Sequence, residues 1–215
     1  MFDKEFIYTY NGVDYPVVII RKRMKSIRYT FKDGTFHVSA PYFFTTKKDI
    51  LNGLDKFAEK LIQGDKRGKA TGEDFIYILG NKHHLSESGE IEIYEGRVLN
   101  YKDKNDLEKK LKKWFLTLLE QRTRFFEEEM NIINPYKIRL RKMSSRYGSN
   151  SSHTHSISYS TVLIHYSLEI IDSVVIHELV HHYVRDHSRN FYNVVYKYCP
   201  NYNNLHRKLR KGEFS

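Results

Sequence analysis

Residues 177–181 read His177-Glu178-Leu179-Val180-His181, two imidazoles flanking a carboxylate. Chance order in a chain of this composition yields this His-Glu-x-x-His pattern in about 4% of cases, so its weight comes from its surroundings. Leu168, Ile170, Ile171, Val174, Val175 and Ile176 precede it, and Leu179, Val180 and Tyr183 continue the same periodicity, which predicts a helix over 168–184. On such a helix His177 and His181 lie about 40° apart, one turn above the other, so both imidazoles can reach one ion. Glu178 is their neighbour and can face a metal-bound water without ligating the metal.

A catalytic zinc site takes three protein ligands and leaves the fourth position to water. Beyond His181 the only acids are Asp186, very close in sequence, and Glu213, in the terminal residues; the better third ligand is His187. A continuous helix would put His187 about 280° from His177, so the helix must break between His182 and His187. Arg185-Asp186 can hold that turn, and Ser188 can cap a new helix beginning Arg189-Asn190-Phe191. His182, about 140° from His177, points away. One Zn2+ held by three neutral imidazoles remains a net dication that acidifies bound water and polarises a carbonyl. Glu178 would take the water's proton and return it to a leaving amine. That is the arrangement of a peptide-bond hydrolase. Asp172 and Glu169, upstream on the same helix, read as solvated charges. Cys199 is the only cysteine, which excludes a disulfide framework and any Cys-rich zinc module; it reads as a small buried hydrophobe.

The rest of the 215-residue chain must position these groups, and its pattern is α+β. Strands are expected at Phe6–Tyr10 and Tyr15–Ile20 around Asn11-Gly12, with a loop longer than the tightest hairpin turn. Ser26–Phe31 and Thr35–Ala40 follow around Asp33-Gly34. Thr46 can cap a helix with Asp49 at its third position and Ile50, Leu51, Leu54, Phe57, Ala58, Leu61 and Ile62 on its apolar face. Gly64–Gly72 offers almost nothing to bury and reads as a linker. Short strands are expected at Phe75–Leu79 and Ile91–Tyr94, a long helix over 106–130, and further strands at Tyr136–Leu140, Ser156–Tyr159 and Thr161–His165. Helices over 189–198 and 202–211 close the chain. The expected organisation is an N-terminal strand-rich region with a helix (1–63), a linker with small strands (64–105) and a catalytic core (106–215), which together can form one compact unit.

The chain carries 36 basic against 26 acidic residues, a net charge of +10. Arg21, Lys22, Arg23, Lys25 and Arg28 form one cluster, and Lys137, Arg139, Arg141, Lys142 and Arg146 another without an intervening acid. Such surfaces attract nucleic acid or acidic protein. A second expectation is therefore a DNA-associated binding protein with a structural or weakly active metal site, or a DNA-stimulated protease, using Arg21, Lys22, Arg23, Lys25, Arg28, Arg141 and Lys142. No apolar run is long enough to span a membrane, and residues 1–20 lack a secretory h-region, so the expected address is cytoplasmic.

Two blocks carry a resemblance to a known family. Residues 171–192 contain the His-Glu-x-x-His helix, His187, Ser188 and Phe191, and Arg141-Lys142-Met143-Ser144-Ser145-Arg146-Tyr147-Gly148-Ser149-Asn150 precedes it. Together they resemble the YgjP-like metallopeptidases, distantly related to the SprT-like proteases. The resemblance implies a zincin-like core with an active-site helix, a small mixed or antiparallel sheet and a strand-rich N-terminal region. It also implies His177, His181 and His187 as zinc ligands, Glu178 as general base and a peptide substrate. Tyr147 stands where the family has Trp, Asn150 where it has Cys, and segment 64–105 departs from the family pattern. Gly148 lets the chain pass close to neighbouring backbone. Arg146 can stabilise an oxyanion, bind a substrate carboxylate, or pair with an acid of the fold.

Overall fold

A computed structural model describes residues 5–43, 45–65, 69–143 and 145–215. The chain divides into two compact units, Met1–Arg67 and Gly68–Ser215.

The first unit is a four-stranded sheet packed on one helix. Strands β1 (Glu5–Tyr10), β2 (Val13–Lys22), β3 (Arg28–Lys32) and β4 (Thr35–Pro41) lie in the order β1-β2-β4-β3, with β2 and β4 parallel. Tyr10 pairs directly with Val13, so the first hairpin has the tight two-residue turn, not the longer loop that was expected. Asn11 and Gly12 both take positive φ (49° and 76°), the conformation that joins right-twisted strands most closely. Helix α1 (Lys47–Asp65) starts with the expected reciprocal cap: Asp49 N–H donates to Thr46 Oγ1 (3.2 Å) and Thr46 N–H to the Asp49 carboxylate (2.7 Å). Ile50, Leu54, Ala58 and Ile62 of α1 share a buried core with Val17, Ile19, Phe36, Val38 and Ala40 of the sheet.

The second unit opens with two hairpins, β5 (Phe75–Ile78) with β6 (Asn81–His84) and β7 (Gly89–Tyr94) with β8 (Arg97–Tyr101). Strands β6 and β8 escape the sequence pattern because neither alternates apolar with polar residues. Helix α2 (Lys104–Glu129) is capped by Asp103, whose carboxylate accepts from Asp106 N–H. Its Leu107, Leu111, Trp114, Phe115, Leu118 and Leu119 enter the same core as Ile78 and Ile91 of the hairpins and Ile171 and Val175 further on. Strands β9 (Lys137–Arg141), β10 (Gly148–Ser151) and β11 (Ser156–Ser160) form a mixed sheet in the order β10-β11-β9. Residues 161–165, expected as a strand, are a 3₁₀ turn. The Ile164 and His165 carbonyls accept from Leu79 N–H and Gly80 N–H, so that segment clamps the β5–β6 hairpin and joins no sheet. Helices α3 (Leu168–Val180), α4 (Arg189–Tyr198) and α5 (Tyr202–Lys211) complete the chain. No helix among the described residues is long and apolar enough to cross a membrane.

Candidate metal centre

Helix α3 ends at Val180, four residues before the expected boundary, and this earlier stop assembles the site. His181 is the C-cap, and the N–H groups of His182, Tyr183 and Val184 turn back onto Leu179 and Val180 carbonyls. The chain thereby reverses, and His187 arrives opposite the helix. One ligand nitrogen from each of His177, His181 and His187 lies within 4.8 Å of the others. His177 Nε2 and His187 Nε2 are 3.1 Å apart. Phe191, fully buried in the first turns of α4, places its ring centroid 4.9 Å from His177, 4.7 Å from His181 and 4.8 Å from His187. It is a common floor for all three imidazoles, a role its sequence position did not disclose.

The tautomers follow from the outward nitrogens. His181 Nδ1 is 3.1 Å from the Val184 carbonyl, which can only accept, so Nδ1 carries the proton and the Nε2 lone pair faces the cluster. His177 Nδ1 is 2.8 Å from the Tyr202 hydroxyl at the start of α5. With that hydroxyl accepting, His177 too presents Nε2. Burial, followed by the charges of His181, His187 and His206, pushes the His177 pKa down to about 3; burial also lowers that of His181. The neutral imidazole that these shifts favour is the form that binds a metal. His182 leaves the cluster as its angle predicts: its Nδ1 lies 3.0 Å from the Tyr136 hydroxyl.

Glu178 is 5% exposed and lines the same pocket as the three histidines. Burial pushes its pKa up to about 7 against two opposing influences, the Asn150 backbone N–H and the charge of Arg146. Gly148 explains how β10 comes so close. A Cβ there would lie 2.5 Å from Glu178 Oε1, so any other residue would have to displace the Glu178 side chain. Asn150 Nδ2 donates to the Glu178 carbonyl at 2.8 Å, giving this position a role that is independent of a thiol.

The remaining candidates separate clearly. Arg146 lines the pocket, whereas Arg141 and Lys142 do not. Arg21, Lys22, Arg23, Lys25 and Arg28 belong to the other unit, where Arg21 donates to the Pro41 (2.8 Å) and Thr45 (3.3 Å) carbonyls. Asp172, expected to be solvated, instead forms a two-point ion pair with Arg122 at 2.8 and 2.7 Å, because α2 packs against α3 there. Glu169 is exposed, and Cys199 is buried as expected. Tyr159 and Tyr183 are structural: Tyr159 Oη lies 3.2 Å from Thr123 Oγ1, and Tyr183 donates to the Met130 carbonyl. Sequence reasoning missed Tyr202 and His206, both of which line the pocket from α5. Nothing in their local sequence marks them: Tyr202 reaches the site through His177, 25 positions away, and His206 stacks on Tyr202.

The pattern of the YgjP-like metallopeptidase domain matches residues 21–212. The chain belongs to the YgjP-like metallopeptidase family. Two solved metallopeptidase zymogens are similar to part of this YgjP-like chain. Abylysin from Pyrococcus abyssi is 20% identical, covering 42% of this chain and 90% of its own, with a TM-score of 0.40. Jannalysin from Methanocaldococcus jannaschii is 17% identical, covering 43% and 94%, also at 0.40. No curated protein matches the sequence. The donors of this YgjP-like site suit a divalent metal. Metal–imidazole bonds of 2.0–2.1 Å imply ligand nitrogens about 3.3 Å apart in a tetrahedral set, close to the His177–His187 separation of 3.1 Å.

Proposed function

We propose that this chain is a zinc-dependent peptidase in which His177, His181 and His187 hold one Zn2+ and Glu178 is the general base. The observation that carries this reading is the convergence of three imidazoles, with ligand nitrogens within 4.8 Å of one another, in a pocket that Glu178 also lines. When bound, the zinc supplies the positive charge that acidifies water and draws electrons from the scissile carbonyl. The residues do the rest. Glu178 accepts the attacking water's proton and passes it to the leaving amine. Gly148 and the Asn150 N–H fix where its carboxylate points. Tyr202 and the Val184 carbonyl hold His177 and His181 in the ligating tautomer. Arg146 stands at the pocket wall, where it meets the substrate. Within the chain we assign catalysis to the core 106–215, braced by the hairpins of 64–105.

Elemental analysis with a peptide-cleavage screen tests the reading. Near-stoichiometric zinc, cleavage abolished by chelation and restored by zinc, and zinc retained without cleavage in Glu178→Gln are expected. Absence of zinc after reconstitution overturns it, and full zinc retention in His187→Ala removes His187 from the ligand set.

A second reading rests on the first unit. Because β2 and β4 run parallel, Lys22, Arg23 and Lys25 leave the sheet at the same end as Tyr42 and Phe43, which are 61% and 76% exposed. Cations beside unburied rings form a platform for single-stranded nucleic acid. Salt-dependent binding of single-stranded DNA that survives Glu178→Gln and is weakened by Phe43→Ala supports a DNA-associated role; indifference to DNA removes it.

A further inference from the structure

The pocket beside the histidines has a volume of about 680 Å³ and a strongly unbalanced charge. Arg146, Arg185 and Arg210 line it from three separate segments, with His206 next to them, and among the described residues Glu178 is its only carboxylate. In the same unit Arg122 is paired with Asp172 and Arg124 with Glu127. Arg146, Arg185 and Arg210 have no hydrogen-bond or ion-pair partner among the described residues. The nearby acid Asp186 accepts from Ser188 N–H at 3.3 Å.

The backbone holds this arrangement in place. Tyr147 donates to the Leu209 carbonyl at 3.0 Å, tying the segment that carries Arg146 to the one that carries Arg210. Arg185 directly follows Val184, whose carbonyl orients His181. Each guanidinium is therefore one residue from a bond that builds or braces the site. Like charges fixed around one concave space raise the free energy of the empty pocket and lower that of a pocket filled by an anion. The planar donor fork of arginine matches carboxylate and phosphate oxygens.

We infer that this pocket selects peptide substrates bearing an oxyanion close to the scissile bond and rejects those with a cation there. The inference rests on the peptidase reading above for its substrate and deepens it. The shared chemistry is an oxyanion, and its source is an acidic side chain, a phosphorylated serine or the chain-terminal carboxylate.

The test is fluorescence anisotropy with zinc-loaded Glu178→Gln protein and labelled peptides of one length. Their central residue is Glu, phosphoserine, Gln or Lys, each with a free or an amidated C-terminus. At low salt the Glu and phosphoserine peptides should bind at least about tenfold tighter than Gln, with Lys weakest. A preference that follows the free C-terminus instead assigns the site to the terminal carboxylate. Arg185→Gln and Arg210→Gln should each reduce the anionic-to-neutral ratio several-fold, whereas Lys142→Gln, outside the pocket, should not. Equal binding of Glu, Gln and Lys peptides overturns the inference, as does a ratio untouched by both arginine substitutions. Wild-type protein separates the two ideas. Cleavage without anion preference leaves the peptidase and sinks the subsite; anion-selective binding without cleavage of any peptide does the reverse.

Discussion

The two compact units have chemically different interiors. Among the described residues the core of Met1–Arg67 consists of apolar and aromatic side chains, whereas every buried polar or charged residue lies in Gly68–Ser215: Thr123, Glu127, Ser156, Ser160, Ser173 and Glu178. Buried polar groups are costly unless bonded, and most of these are. Thr123 donates to the Leu119 carbonyl, Ser173 to that of Ile170, and Glu127 accepts Tyr136 N–H at 2.7 Å. The contrast between the two glutamates is instructive. Glu127 is enclosed by the loop it stabilises, while Glu178 keeps a face on the pocket. The first unit is built for stability alone at its centre; the second accepts a poorly solvated carboxylate where chemistry would use it.

That contrast can be broken or sharpened by substitution. The largest effect is expected from Glu178→Gln, which should lower peptide cleavage by roughly 10²–10⁴-fold with metal content unchanged. Loss of metal in this variant would make Glu178 a structural support of the cluster. Gly148→Ala comes next. Its methyl group would occupy the place of the Glu178 carboxylate, so activity should fall about 10²-fold while the zinc stoichiometry holds. Kinetics matching the wild type would mean that β10 yields without cost. Tyr202→Phe keeps the ring but removes the oxygen at His177 Nδ1, and competition with a chelator should reveal metal affinity about 10–100-fold weaker. Unaltered affinity would show that the hydroxyl only fills space. The smallest effect belongs to the first unit: Thr46→Ala deletes one half of the α1 cap and should cost about 1 kcal/mol in denaturant unfolding. Metal content should be unchanged there; a change would mean that the two interiors are not energetically separate.

Much of this was legible in the residues themselves. The helical frame around His177 and His181 brings the two imidazoles together because four-residue spacing has one geometric outcome, and His182 is turned away by the same arithmetic. The Thr46–Asp49 cap is equally local. Two errors arose where local pattern misleads. Residues 161–165 are apolar and β-branched enough to pass for a strand, yet their carbonyls are claimed by the β5–β6 turn. Asp172 looks solvated until α2 delivers Arg122 to it from 50 positions away.

The sequence by itself determined which histidines are candidate metal ligands, the need for a helix break before His187 and the excess of positive charge, since each depends only on spacing or count. Tertiary structure decided what surrounds them. It laid Phe191 beneath three imidazoles, brought the hydroxyl of Tyr202 to His177, pressed Gly148 against Glu178 and gathered Arg146, Arg185 and Arg210 around one pocket. These relations join segments with no periodicity in common. They exist only because packing of the shared core fixes α3, α5 and β10 relative to one another.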